Sequence, residues 1–193
     1  MIDFESEATE LLLNPRLPGD EKERLTRIVR DLPPLAAHVW VTTSGSSGAL
    51  KLVALSKKAI LASAAAANRH LEARRRDVWL SPLPDFHVGG IGIRARAALT
   101  TSAVVKLDRW SVQAFADLAE EEDVTLTALV PAQVADLVAT GAQAPRALRA
   151  IVVGGGALEP RLYRDARKLG WPLLPSYGLT EACSQVATAP LAS

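Results

Sequence analysis

The sequence contains very little cysteine and no long apolar run, and both absences exclude classes of protein. Cys183 is the single cysteine among 193 residues, so neither an intrachain disulfide nor a cysteine-based metal cage can form. No apolar run approaches the ~20 residues that span a bilayer. The amino-terminal residues are acidic and lack the basic-then-apolar order of a secretory signal. The sequence therefore predicts a reduced, soluble, cytoplasmic protein without membrane insertion.

A strong charge of one sign is also missing. The 22 basic and 21 acidic residues leave a net charge of +1, which gives no reason to expect a nucleic acid as partner. The dense basic run Arg74-Arg75-Arg76 is better explained by a solvated helix end. With 49% hydrophobic and 22% charged residues, the chain is expected to be globular and to bury a core.

The chain is predicted to have two parts. Residues 1–37 form an N-terminal helical segment, in which Asp20 is expected to cap a helix over 21–30 and Pro33-Pro34 to end it. Residues 38–193 form an α/β domain in which short apolar strands alternate with helices. Expected strands are 39–41, 52–55, 77–81, 103–107, 125–130, 149–153 and 172–175, and expected helices are 57–73, 89–99, 111–121, 132–139 and 159–169.

This alternation predicts an α/β fold with a mostly parallel sheet and helices on both faces. Ligands of such sheets bind beyond the carboxyl ends of the strands. Each of the polar or glycine-rich stretches of interest follows a predicted strand: 43–51, 85–87, 154–156 and 177–181. The four stretches are therefore expected to meet at one edge of the sheet.

The stretch 42–51 reads Thr-Thr-Ser-Gly-Ser-Ser-Gly-Ala-Leu-Lys. Glycines, hydroxyls and the terminal Lys51 suit a polyphosphate, because backbone N–H groups can turn toward one anion and the lysine supplies charge. An ordinary Gly/Ser turn explains the composition equally well. The spacing of Gly45, Gly48 and Lys51 is not that of a P-loop.

Two later stretches also have a functional and a structural interpretation. Gly154-Gly155-Gly156 permits close approach of a flat or charged group, but a tight strand-to-helix turn also needs such residues. In Tyr177-Gly178-Leu179-Thr180-Glu181, the tyrosine can stack on a base, Thr180 can contact a phosphate and Glu181 can hold Mg²⁺. Alternatively, Thr180 caps a helix and Glu181 occupies its first turn.

His87 lies in a loop among apolar residues, where it can line a pocket, although a lone histidine is more often structural. No spacing of His38, His70 and His87 suits zinc. A hydrolase triad of Ser44, His87 and Asp85 is a further alternative. It is disfavoured because Asp85 and His87 are too close in sequence to orient each other well, and Ser46 lacks the Gly-x-Ser-x-Gly pattern.

Together the four stretches resemble the acyl-adenylate-forming superfamily. Residues 43–51 resemble its phosphate loop, His87-Val88-Gly89-Gly90 its His-x-x-Gly motif, and 177–181 its Tyr-Gly-x-Thr-Glu motif behind a Gly-Gly-Gly-Ala turn. The resemblance covers about 39–188. Within the superfamily, Leu83-Pro84-x-Phe86-His87 and Leu129-Val130-Pro131-x-Gln133 are similar to the o-succinylbenzoate–CoA ligase branch of menaquinone biosynthesis.

The resemblance implies an acid–CoA ligase that uses ATP, Mg²⁺ and coenzyme A on a small carboxylic acid. Lys51, His87, Thr180 and Glu181 would be catalytic, with Glu181 on the metal. The nucleotide would contact Thr43, Ser44, Gly45, Ser46, Ser47, Gly48, Lys51, Gly155, Gly156, Ala157, Tyr177, Gly178 and Thr180, and the acyl group His87 and Gln133.

Departures from the family pattern limit this expectation. Leu50 and Leu52 replace a proline and a glycine of the phosphate loop. The chain is also expected to be an N-terminal portion of the ligase that lacks the small C-terminal domain with its adenylation lysine. Little full ligase activity is therefore expected of the chain itself. A non-catalytic nucleotide- or acyl-binding module is the alternative, and exposed apolar surface makes a homo-oligomer possible.

Overall fold

A computed structural model describes residues 2–44 and 50–191, without the side chain of Ser44. The helices are α1 (Gly19–Asp31), α2 (Lys57–His70), α3 (Val88–Thr100), α4 (Val112–Glu121), α5 (Pro131–Thr140) and α6 (Pro160–Lys168). The strands are β1 (Glu10–Leu12), β2 (His38–Ser44), β3 (Leu50–Ser56), β4 (Val78–Ser81), β5 (Ala103–Lys106), β6 (Leu126–Leu129), β7 (Ala150–Val153), β8 (Leu173–Leu179) and β9 (Ser184–Thr188).

The larger sheet has the strand order β5-β4-β6-β7-β8-β9, and its first five strands are parallel. β9 runs antiparallel to β8. Adjacent parallel strands are joined through helices, as the alternating pattern of the sequence requires. The predicted α/β class with a mostly parallel sheet is confirmed.

Alternating side chains of the strands build a core on each face of this sheet. On one face, Leu80, Ile151 and Leu173 pack with residues of α4, α5 and α6, including Phe115 and Ala166. On the other face, the strand side chains pack against Ile93 of α3 and against Leu71, which follows the end of α2; these strand residues include Trp79, Leu126, Ala150 and Val152. Helices therefore cover both faces, as predicted.

A second, smaller sheet has the order β1-β2-β3, with β1 parallel to β2 and β2 antiparallel to β3. It packs through Val39, Val41 and Leu55 on α2 and α3. The buried Lys57 attaches the N-terminal segment, since its Nζ donates to the carbonyls of Asp3 and Ser6 at 2.6 and 3.0 Å. Because β1 pairs with β2, it also joins the N-terminal segment to the strand that precedes the Gly/Ser loop.

Several expectations about local structure were wrong. The strands flanking the Gly/Ser loop form a hairpin of the smaller sheet instead of belonging to the parallel sheet. α1 begins at Gly19 without a side-chain cap, so Asp20 lies in the first turn instead of capping it. β8 continues through Leu179, and Thr180 begins a short 3₁₀ helix over Thr180–Ala182 instead of capping a helix. β1 and β9 were not predicted.

Within the described part of the chain, no helix combines the length and apolarity needed to cross a membrane.

Candidate active site

A cavity of about 680 Å³ lies between the smaller sheet and the carboxyl ends of the parallel strands. All four stretches identified in the sequence contribute to its wall, the first of them through its described ends. The β2–β3 hairpin contributes Thr42, Thr43 and Lys51; the loop after β4 contributes Leu83, Pro84, His87, Val88 and Gly89; and the later elements contribute Gly154, Gly155, Gly178, Thr180 and Glu181. The cavity therefore lies at the edge where the parallel-strand rule predicts ligand binding.

The polar end of this cavity joins the hairpin to the 3₁₀ turn. Thr43 and Lys51 are direct cross-strand partners of β2 and β3, so a hydroxyl and an ammonium group stand side by side. Thr180 and Glu181 lie on the same cavity wall. Gly45, Ser46, Ser47 and Gly48 fall outside the described residues, as does the Ser44 side chain, so their predicted phosphate contacts stay predictions.

A second cavity of about 800 Å³ contains the predicted adenine-contacting residues. Gly155, Gly156 and Ala157 form one part of its wall, and Tyr177 forms another part from β8. The Tyr177 side chain is 66% exposed, which leaves its ring available to a flat ligand. Gly155 has φ of +80°, a conformation that disfavours any other residue. The two cavities share Gly155, Ser176 and Gly178 as common wall residues.

His87 is placed by the start of α3. It occupies the N-cap position, and its ring packs at 4.6 Å between centroids against the ring of Phe86. Although its side chain remains exposed, neighbouring atoms lower the pKa of the His87 imidazole below its ordinary value through desolvation. The neutral ring is therefore favoured at pH 7, and it lies on the acyl side of the predicted site.

Arg96 is a site residue that the sequence reasoning missed. It lies on α3 with 2% of its surface exposed, and it contributes to the wall of the first cavity. Its Nε and Nη1 are buried without a hydrogen-bond partner among the described residues, while its guanidinium lies 5.6 Å from the Trp79 ring centroid. Burial lowers the pKa of Arg96 to about 10, so the group still carries its charge at pH 7. In the sequence, the signal that could have identified it is an arginine within a predicted helix whose other residues are mostly apolar or small.

Burying a charge without a partner is costly, and a bound ligand that completes the pairing would remove that cost. A carboxylate matches the planar donor fork of arginine. The cavity therefore has a cationic wall at Arg96 and a second cationic position at Lys51. Such an arrangement can bind a molecule that places one anionic group near Arg96 and another near Lys51.

Asp85 is not available to a hydrolase triad. Its two carboxylate oxygens accept from Arg94 Nε and Nη2, both at 2.7 Å. The hydrogen bonds from Arg94, followed by its charge and that of Lys106, lower the pKa of the Asp85 carboxyl despite partial burial. Asp85 therefore pairs with a helix residue instead of orienting His87, which argues against the Ser44–His87–Asp85 alternative.

Gln133 is held at the start of α5, where its Oε1 accepts from the Val130 N–H at 3.0 Å. It is largely buried and does not belong to the described wall residues of either cavity. Its role in acyl binding stays a prediction.

The donor set fits a nucleotide with Mg²⁺ better than a protein-held metal. No group of three or more His, Cys, Asp or Glu side chains within 2–44 and 50–191 is arranged to hold an ion. Mg²⁺ commonly binds through one or two carboxylates together with substrate phosphates and water. Glu181 on the cavity wall matches that mode.

Replacing Gly178 with alanine is expected to disrupt the β8–β9 hairpin. A Cβ at this position would lie 1.9 Å from the Ser184 carbonyl oxygen, so the strands must separate at the bulge. We expect a loss of about 1–3 kcal/mol, typical of overpacking, and weaker nucleotide binding. Thermal melting and titration with AMP measure both. Gly19→Ala is the control, because a Cβ there meets nothing within 4 Å; equal melting temperatures for G178A and wild type would contradict the prediction.

Comparison with known proteins identifies the family. The AMP-binding enzyme family model matches residues 2–193. A 2-succinylbenzoate–CoA ligase of Bacillus velezensis is 34% identical over 146 residues, covering 76% of this chain and 30% of that protein. The Bacillus subtilis ligase is 32% identical over 153 residues, covering 79% and 32% respectively. The chain thus spans about a third of these relatives' length.

Solved structures agree. O-succinylbenzoate CoA synthetase of B. subtilis in complex with ATP and magnesium ion has a TM-score of 0.77 and 25% identity, covering 96% of this chain and 42% of that one. The same enzyme with the acyl-adenylate intermediate has a TM-score of 0.77 and 26% identity, covering 94% and 52%. The family expected from the four stretches is confirmed: the chain belongs to the AMP-binding enzymes.

Proposed function

We propose that this chain supplies the nucleotide- and acid-binding part of an ATP-dependent acid–CoA ligase. The proposed acid is 2-succinylbenzoate, on the menaquinone pathway, in the cytoplasm. Support comes from the family match, the similarity to relatives and structures of that name, and the site itself. Full ligation is proposed for a protein of the relatives' length, and a homo-oligomeric state stays a prediction.

The buried Arg96 is the observation that carries the choice of substrate. The acid to be activated needs one carboxylate at the phosphate end of the cavity. An unpaired guanidinium in the same cavity calls for a second anionic group on the substrate. A keto acid with two carboxylates, such as 2-succinylbenzoate, satisfies both positions, whereas a simple fatty acid would leave Arg96 unpaired.

In the proposed reaction, the first carboxylate attacks the α-phosphorus of ATP and pyrophosphate leaves; the thiol of coenzyme A then displaces AMP. The nucleophile is already ionised, so no general base is needed. Catalysis consists of positioning and charge neutralisation. Lys51, Thr43 and Thr180 hold the phosphates, Tyr177 and the turn at Gly155–Ala157 hold the adenine, and His87 bounds the acyl group. Mg²⁺ held at Glu181 would supply positive charge on the phosphates.

Calorimetric titration with an acyl-sulfamate analogue of the 2-succinylbenzoate adenylate tests the proposal. We expect binding to this chain, and binding roughly 10- to 150-fold weaker for the matched analogue without the benzoate carboxylate, because a hydrogen-bonded charge pair is lost. Equal affinity for the two analogues would reject the dicarboxylate. No binding of either analogue or of ATP with Mg²⁺ would reject the proposed function.

A pyrophosphate-release assay separates the enzyme from its alternative. A protein of the relatives' length should release pyrophosphate with 2-succinylbenzoate and coenzyme A. Tight binding without release at that length would instead indicate a non-catalytic nucleotide- or acyl-binding module.

A further inference from the structure

The loop between β4 and α3 forms the acyl-side wall of the first cavity. Leu83, Pro84, His87 and Val88 are all wall residues. None of them is a hydrogen-bonded part of the sheet, since β4 ends at Ser81 and α3 begins at Val88. The shape of this wall therefore depends on what holds the loop.

Asp85 holds the loop at its centre. Arg94, nearly two turns further along α3, binds both oxygens of Asp85 in a bidentate arrangement, with 14% of the Arg94 side chain exposed. Lys106 at the end of β5 approaches Asp85 Oδ2 at 3.7 Å. The carboxylate thus connects the loop to the helix and to a neighbouring strand.

A backbone contact holds the same loop at a second point. A Cβ at Gly90 would lie 2.3 Å from the carbonyl oxygen of Pro84, so α3 approaches the loop backbone directly there. The His87 N–H also donates to that carbonyl at 3.2 Å. With the Pro84 end fixed by the backbone, the ion pair at Asp85 determines how the intervening residues present His87.

We propose that the Asp85–Arg94 ion pair is a positioning device that sets the His87 ring and the acyl-side wall for the substrate. The proposal rests on the proposed function for the nature of the ligand. Neither Asp85 nor Arg94 belongs to the described cavity wall, so both act through the loop and not by contact. Breaking the pair frees the loop between Pro84 and α3, and it should affect acyl binding while leaving the nucleotide end intact.

The test uses Asp85→Asn, which keeps the shape of the side chain, and Arg94→Lys, which keeps the charge but loses the fork. We expect D85N to bind the 2-succinylbenzoyl-sulfamate analogue roughly 10-fold more weakly, as loss of preorganisation predicts. R94K should fall between D85N and wild type. Affinity for AMP should stay within about twofold of wild type, because its predicted contacts lie on other elements. Asp165→Asn, which breaks the exposed Lys168–Asp165 pair on α6, is the matched control.

NMR of the histidine rings gives a readout independent of any ligand. The chain has three histidines, and His87→Gln identifies the His87 signal. D85N should shift that signal because the ring changes its position relative to Phe86. An unshifted signal with wild-type analogue affinity would overturn the proposal. An equal loss of AMP and analogue affinity would overturn it as well, since it indicates general destabilisation. If wild type binds no analogue, the proposed function fails, and the His87 signal still decides whether the pair positions the ring.

Discussion

Replacing Arg96 with methionine is expected to weaken binding of the 2-succinylbenzoyl-sulfamate analogue while leaving the protein at least as stable as wild type. The affinity should fall roughly 10- to 150-fold, the range for a charged hydrogen bond of about 1.5–3 kcal/mol. The stability should not fall, because methionine fills a similar volume without the desolvation cost of an unpaired guanidinium. The small loss of the contact with Trp79 works in the opposite direction.

Titration calorimetry and thermal melting of the same preparation measure the two effects. Arg96→Lys is the informative control, since it keeps a cation but not the bidentate fork. Its affinity for the analogue should be intermediate, and AMP should bind all three proteins alike. An R96M protein that melts several degrees lower with unchanged affinity would show that Arg96 stabilises the fold instead of binding a ligand.

Replacing Asp77 with alanine is expected to lower the stability of the protein and to leave its ligand affinity unchanged, which is the opposite of the result expected for R96M. Its carboxylate, at the amino ends of the parallel strands, accepts from Arg149 at 2.9 Å, from the Arg74 N–H at 2.6 Å and from Thr125 Oγ1 at 2.8 Å. Removing it leaves the partly buried Arg149 without its carboxylate partner, and of the groups that the structure describes only the carbonyls of Leu71 and Glu72 still accept from its guanidinium. The cost should be about 3 kcal/mol, at the lower end for a broken buried pair. For a chain of this size that lowers the melting temperature by roughly 6–12 °C.

The same carboxylate makes the free energy of unfolding depend on pH. Burial alone would raise the pKa of Asp77, but the hydrogen bonds from Arg149, Arg74 and Thr125 outweigh burial and lower it. Its stabilising contribution is therefore present above the pKa of an unfolded aspartate, about 4, and is lost as pH falls through the lower folded value. Urea unfolding from pH 7 to pH 3 should show a smaller pH slope for D77A than for wild type. Ligand affinity at pH 7 and low temperature should not change, since Asp77 lies at the far edge of the sheet.

The parallel sheet could be predicted because its signal is local and redundant. Strands such as Ala150–Val153 are continuous apolar runs that suit burial on both faces, and Ser56 and Ser111 cap the helices that follow them. The cavity edge then followed from strand direction. The family resemblance assigned residue types to that edge, which composition alone left open.

What could not be predicted depends on contacts between distant residues. The antiparallel pairing of β2 with β3 places the hairpin in another sheet, and a seven-residue strand has the same appearance in either sheet. β9 contains polar, half-exposed residues, so it has little periodic signal. Arg96 was missed because its significance lies in the absence of a partner, which only the packing of α2, α3 and β4 reveals.

Gly155, Ser176 and Gly178 line both the first cavity and the second one, so each of them would contact an occupant of either cavity. When an occupant of one cavity displaces these residues, it changes the binding free energy of an occupant of the other cavity. Thermodynamic linkage then requires the effect to be reciprocal: if the acyl group raises the affinity for the adenosine by some factor, the adenosine raises that for the acyl group by the same factor. The joined acyl-adenylate, which fills both sides at once, would benefit from this coupling without the entropic cost of bringing two molecules together.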